Sequence, residues 1–194
     1  MSGVVGPSIA WGTWPVTIHG SATVTFTPSA PAGLKQVDVF LGDRLMCSLA
    51  SEPFSCRILA TGGDVGVQAL RLVVTDARGS TAQVQRAVRV AKFRPAVKLD
   101  VKLRRLAHQR ARRTIAGRLA MPKAVKRSQG CSGTVTLVVK RSGRSILNQQ
   151  VRLSRACRFS RSVTAGRHRQ SFSVSARFGG NAVLSAAAKT RRFS

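Results

Sequence analysis

Tyrosine is absent from the 194 residues, and carboxylates are scarce: six Asp and Glu face 33 Lys and Arg, for a net charge of +27. The shortage of carboxylates argues against most hydrolytic chemistry, because general acid–base work needs a positioned pair or a tuned histidine. Residues 93–194 hold one carboxylate, Asp100. The others, Asp38, Asp43, Glu52, Asp64 and Asp76, fall in turns or on strand faces, where turn-forming roles account for them. Asp43, Asp64 and Asp76 stand at loop ends, but the six or more oxygens of a calcium site are not in evidence around them. His19, His108 and His168 lack ligand spacing, and no C-x-x-C occurs. The serines have no histidine at motif spacing, and Gly62-Gly63 and Gly179-Gly180 are too short for a phosphate loop. The expectation is a protein without catalytic residues, cofactor or metal.

Long apolar runs are also missing. The one around Val73 and Val74 is broken by Arg71 and Asp76, far short of a bilayer span. The opening MSGVVGPSIAW has neither the charged region nor the apolar core of a signal peptide. The cysteines point the other way, so the sequence is expected to be a piece of a longer exported protein or the product of an incomplete gene model.

The four cysteines form two close pairs, Cys47 with Cys56 and Cys131 with Cys157. Of the three possible connectivities, pairing within each half keeps each bridge in its own domain. Closing loops of about ten and about 27 residues would stabilise by roughly 3 and 3.5 kcal/mol in the chain-entropy model. Buried free thiols and a metal site are the competing readings. Disulfides imply an oxidising compartment, hence an extracellular or cell-surface location.

The positive charge is unevenly placed. Residues 1–92 carry eight basic and five acidic groups, a net +3; residues 93–194 carry 25 basic groups and Asp100, a net +24. This step marks a domain boundary at the short Phe93-Arg94-Pro95 join, and the length suits two sandwich-sized domains, 1–92 and 93–194. Two explanations of the charge stay open. Arg outnumbers Lys 25 to 8 and Ala, Gly and Val abound, as a GC-rich genome would produce. Alternatively the field serves to attract polyanions.

Period-two alternation recurs along the chain. ATVTFT (22–27), QVDVFL (36–41), VQALRLVVT (67–75) and TAQVQRAVRVA (81–91) read as strands, with Gly42-Asp43 turning a hairpin and Asp76-Ala77-Arg78-Gly79 a type I turn. Phe54–Leu59 is expected to run back after the Glu52-Pro53 turn. Trp11 and Trp14 either plug the open end of a sandwich or offer a surface to a sugar, and plugging is the commoner role. In the second half AVKLDVKL (96–103), Thr114–Met121, 133–140, 145–153, a strand around Phe159 and Val163, and QSFSVSARF (170–178) continue the pattern. KLRRLAHQRARR (102–113) fits either a short basic helix or a strand end with a basic turn, and the resumed alternation after it favours the turn. Pro122–Gly130 reads as loop, and Ala182–Ala187 as the start of the last strand.

These residues resemble known modules. VDVFLGDRLMC (37–47), Glu52-Pro53-Phe54 and LRLVVTDARGSTAQ (70–83) are similar to bacterial Ig-like repeats of secreted and cell-surface proteins. GTVTLVV (133–139), FSVSARF (172–178) and GGN (179–181) resemble a second such repeat type. Val183 and Leu184 stand where those repeats often have an aromatic, and the +24 charge is unusual for them. The resemblance implies an all-β chain of two tandem Ig-like antiparallel β-sandwiches. It also implies a structural or adhesive role beside neighbouring domains of a longer exported protein. The charge adds contact with an anionic polysaccharide or cell-wall polymer, through Arg104, Arg105, Arg110, Arg112, Arg113, Arg141 and Arg144. The rival is a nucleic-acid-binding protein using the same basic half. Against it, Phe159, Phe172 and Phe178 fall on the inward phase of their strands, leaving no stacking platform.

Overall fold

Alternation at period two places one set of side chains on a core face and the other in solvent, so most of the chain is committed to half-buried strands. In the computed structural model, which describes residues 6–105, 110–167 and 171–193, the chain forms two compact units, Met1–Lys92 and Phe93–Ser194.

The first unit contains β1 (Ser8–Trp11), β2 (Thr17–Ile18), β3 (Ser21–Ser29), β4 (Leu34–Leu41), β5 (Arg44–Leu49), β6 (Ser55–Leu59), β7 (Gly66–Asp76) and β8 (Thr81–Val90). The second contains β9 (Ala96–Arg105), β10 (Arg110–Ala120), the one-turn helix α1 (Arg127–Gly130), β11 (Thr134–Arg141), β12 (Arg144–Arg152), β13 (Arg158–Arg167), β14 (Phe172–Phe178) and β15 (Ala187–Phe193).

The sheets of the first unit run β1-β3-β6 and β2-β8-β7-β4-β5; those of the second run β13-β10-β9 and β12-β11-β14-β15. The chain takes the same path in both. Two strands pair in the small sheet, the next two cross to the large one, the fifth returns, and the last two complete the large sheet. The short β2, parallel to β8, is an addition of the first unit. All other ladders are antiparallel. Both units are Ig-like antiparallel β-sandwiches, with the fourth main strand beside the large sheet.

Each core is the meeting of two inward phases. In the first unit Val24, Phe26 and Ile58 face Val37, Val39, Leu41, Leu70, Leu72 and Val74. In the second, Leu99, Ile115, Leu119 and Phe159 face Val135, Leu137, Val139, Val174 and Phe178. Burying one such side chain stabilises by roughly 1.5–3 kcal/mol. The hairpins opening each large sheet use different tight turns. Gly42 has φ +59 in the β4–β5 turn, whereas Ser142 and Gly143 both have positive φ in the β11–β12 turn, at +45 and +81. Positive φ at both central positions is the type I′ arrangement, whose twist suits a tight hairpin.

Both disulfides form within units. Cys47 of β5 bonds Cys56 of β6, Cα atoms 6.1 Å apart, and Cys131 bonds Cys157 across 4.6 Å. The first ties β5 of the large sheet to β6 of the small one; the second ties the residue that caps the end of α1 to the residue just before β13. Antibody domains staple their sheets at a different pair of strands, the second and sixth.

Some expectations are revised. Residues 55–59 do not run back along β5; they pair with β3 in the opposite sheet, which is why a short Cys47–Cys56 loop can bridge two layers. The 122–130 segment contains the helical turn α1. The last strand begins at Ala187, because residues 182–186 are held away from strand geometry by Asn181. Its Oδ1 accepts the N–H groups of Val183 (3.0 Å) and Leu184 (2.8 Å), and its Nδ2 donates to the Gly130 carbonyl (3.0 Å). Of the ambiguous 102–113 segment, 102–105 and 110–113 are strand; residues 106–109, which include His108, lie outside the described residues.

Candidate polyanion-binding face

Antiparallel register decides which cations become neighbours. In β9, Val97 and Leu99 point inward, which sends Lys98, Asp100, Lys102 and Arg104 outward. In β10 the inward residues are Arg113, Ile115, Gly117 and Leu119, leaving Arg112, Thr114, Ala116 and Arg118 outside. In β13, Phe159 points in and Arg158, Ser160, Ser162 and Thr164 point out.

The pairing assembles these into transverse rows. Arg118 lies directly opposite Lys98 on one side and Arg158 on the other. The next row is Asp100, Ala116 and Ser160; the next Lys102, Thr114 and Ser162, where the two hydroxyls are 3.2 Å apart; the last Arg104, Arg112 and Thr164. Among the described residues the face therefore shows six exposed cations and one carboxylate. Lys98, Lys102, Arg118 and Arg158 border a shallow depression floored by Ala116 and Gly117.

Like charges directly opposite across strands are destabilising. Two unit charges about 8 Å apart in water repel by roughly 0.5 kcal/mol, so the row of three costs on the order of 1 kcal/mol at low salt.

The seven arginines singled out from the sequence do not make one patch. Arg104 and Arg112 are exposed and directly opposed on this face. Arg105 and Arg110 end β9 and begin β10, with side chains outside the described residues. Arg141 and Arg144 oppose each other at the β11–β12 turn, in the other sheet. Arg113 is corrected outright. Its strand phase turns it inward, it is 7% exposed, and its guanidinium lies 3.7 Å from the centre of the Phe172 ring. Burial pushes its pKa below the ordinary arginine value. Sequence reasoning missed the Lys98–Arg118–Arg158 row as a unit. Alternation marks each member as outward, but only register brings three strands' cations into line.

Other candidates have structural occupations. Asp64 Oδ2 takes Arg44 (2.6 Å) and the Thr61 amide (2.7 Å), and Asp76 Oδ1 takes the amides of Arg78 (2.9 Å) and Ser80 (2.8 Å). Among the described residues no group of three or more His, Cys, Asp or Glu could hold a metal ion. Trp11 and Trp14 are half-buried, with ring centres 6.4 Å apart and Arg86 4.7 Å over Trp14. Among the described residues no helix is long and apolar enough to cross a membrane.

The chain matches no protein family model and no curated protein. Solved structures similar to it include fibronectin(III)-like modules of Clostridium thermocellum CbhA, at 16% identity, covering 95% of this chain and 92% of that one, with a TM-score of 0.38. A 1.5-MDa bacterial ice-binding adhesin is similar at 15% identity over 98% of this chain and 64% of that one, TM-score 0.36. The chicken interferon gamma receptor alpha chain is similar at 11% identity over 98% of both chains, TM-score 0.43. The fold assignment rests on strand order within each unit.

Proposed function

We propose that the chain is a non-enzymatic structural and adhesive module of an exported protein, and that its second unit contacts an anionic polymer. The observation that carries this reading is the outer face of β13-β10-β9, where six exposed cations share one carboxylate. Such a face attracts polyanions at long range and holds them by displacing counterions. The two disulfides support an oxidising compartment outside the cell. The bacterial cell surface supplies acidic polysaccharides and wall polymers there.

The test is retention of the full chain on immobilised heparin over a salt gradient. Binding that falls steeply between about 50 and 200 mM salt is expected. No retention at the low end would overturn the polyanion reading. Saturable binding of DNA or RNA at about 150 mM salt, tighter than that of any acidic glycan, would replace it with nucleic-acid recognition.

A further inference from the structure

We infer that the transverse row Lys98–Arg118–Arg158 is the primary contact for a linear anionic glycan, a sugar chain bearing carboxylate, sulfate or phosphate groups, laid across the strands. This rests on the polyanion reading above and narrows it to one site and one ligand class.

Register is the first argument. The three cations sit directly opposite one another on adjacent strands, the strands themselves lying about 4.8 Å apart. Side-chain pairing alone would place an opposite charge among them. The unit's one carboxylate, Asp100, stands instead one step along the strand, opposite Ala116. The row is thus a line of three positive charges, with the one carboxylate in the adjacent row and on the border of the same depression.

Shape is the second. Ala116 and Gly117 leave the floor low between the long side chains of Lys98, Arg118 and Arg158. A thin chain fits there with its charged groups against the cations. The path along β9 is interrupted by Asp100, which repels an anion running from Lys98 to Lys102. The path across the strands runs over Lys98, Arg118 and Arg158, with the Asp100 carboxylate at the side of the same depression.

The chemistry of the face selects a glycan. No aromatic side chain lies in the four rows, so the face has nothing on which a base can stack. It does offer Ser160, one row from Arg158, whose hydroxyl can pair with a sugar hydroxyl, beside arginine forks that pair with oxyanions.

The test measures binding of the full chain to a heparin dodecasaccharide and to oligogalacturonate at about 150 mM salt, with oligodeoxythymidylate as the comparison. Arg118→Ser and Arg158→Ser each remove one charge from the row. Arg177→Ser and Arg192→Ser remove one charge from the outer face of β12-β11-β14-β15. Loss of roughly fivefold or more in the row variants, against less than about twofold in the others, is expected. Asp100→Asn is expected to tighten glycan binding. Arg118 and Arg158 are exposed on different strands, so misfolding of one variant leaves the other as a test. Equal losses from all four arginine variants would overturn the row while the polyanion reading stands. Failure of the unaltered chain to bind either glycan at about 150 mM salt would overturn the glycan row, and failure at about 50 mM as well would end both. Tighter binding of oligodeoxythymidylate, weakened by the same row variants, would overturn the glycan assignment.

Discussion

Replacing Gly117 by alanine should destabilise the second unit, against the usual sign of that exchange in a strand. Alanine gains about 0.5–1 kcal/mol over glycine within a strand, because glycine loses more freedom on folding. At position 117 the added methyl has no room. It would stand 2.3 Å from Cζ and 2.8 Å from Cε2 of Phe159, and 2.6 Å from the carbonyl oxygen of Lys98. Phe159 is the direct cross-strand partner of Gly117 and is 3% exposed, so its ring lies over the glycine and has little space to retreat. The carbonyl belongs to the β9 backbone, opposite the neighbouring Arg118, and moving it disturbs the ladder. Overpacking of this kind costs typically 1–3 kcal/mol.

Setting that cost against the propensity gain gives a net loss of about 1–2 kcal/mol. At roughly 4–8 °C per kcal/mol for a unit of this size, the melting transition should fall by about 5–15 °C. The assay is thermal and urea unfolding of the full chain, followed by circular dichroism and calorimetry. Gly179→Ala is the control, because a methyl there meets nothing within 4 Å. It should stay within about 0.5 kcal/mol of the parent. Adding Phe159→Leu to Gly117→Ala should restore part of the loss non-additively, since it removes the ring but leaves the Lys98 carbonyl. A Gly117→Ala protein as stable as the parent would refute the close-packed ring, and with it the account of how the floor beneath the cationic row is held.

Four further outcomes follow from the same geometry. Changing Cys131 and Cys157 to serine together should cost about 3.5 kcal/mol of unfolding free energy, measured in urea without reductant, whereas intact-mass measurement of the parent should show it lighter than its reduced form by a pair of hydrogens per bridge. Asn181→Ala should cost about 2 kcal/mol by chemical denaturation, because the amides of Val183 and Leu184 and the Gly130 carbonyl lose their partner together. Arg113→Met should leave heparin retention unchanged while Arg118→Ser weakens it, since Arg113 is inside the sandwich. Raising sodium chloride from about 20 to 500 mM should raise the melting temperature of the strongly basic unit, as screening relieves its self-repulsion; a fall would contradict that account.

What the sequence discloses, and what it hides, follows from the range of the forces involved. Alternation is local, so QSFSVSARF by itself marks Phe172, Val174, Ala176 and Phe178 as core, and all four are buried. The hairpin turns at Gly42-Asp43 and Ser142-Gly143 are legible for the same reason. Pairing between distant strands is not. Phe54–Leu59 reads as the return arm of a hairpin, yet residues 55–59 cross to β3, because the hydrophobic face of β6 is buried only in the opposite layer. Arg113 shows the limit most directly. Charge argues for solvent and phase argues for the core, and phase prevails because Phe172 supplies an aromatic face for the guanidinium. The row Lys98–Arg118–Arg158 needs the registers of two ladders, which no local pattern encodes.

Register also bears on whether the charge is a by-product of genome composition. The two units share a strand path, so the outer face of β1-β3-β6 is the counterpart of the outer face of β9-β10-β13. A compositional pressure toward arginine acts on both halves of one gene alike. The counterpart face carries Ser8, Ala10, Ser21, Thr23, Thr25, Thr27, Ser55, Arg57 and Leu59, with a single cation. Its Thr23 and Arg57 are cross-strand partners, so the register that brings Arg118 beside Arg158 brings a threonine beside an arginine here. Neither fold nor codon usage demands a line of three opposed cations, since the same scaffold in the same chain does without one. The row costs stability at low salt. A feature that works against the stability of its own fold, and that the twin unit lacks, is what the proposed glycan contact requires. An anionic ligand lying on that row, as proposed, would remove the repulsion and use the charges at once.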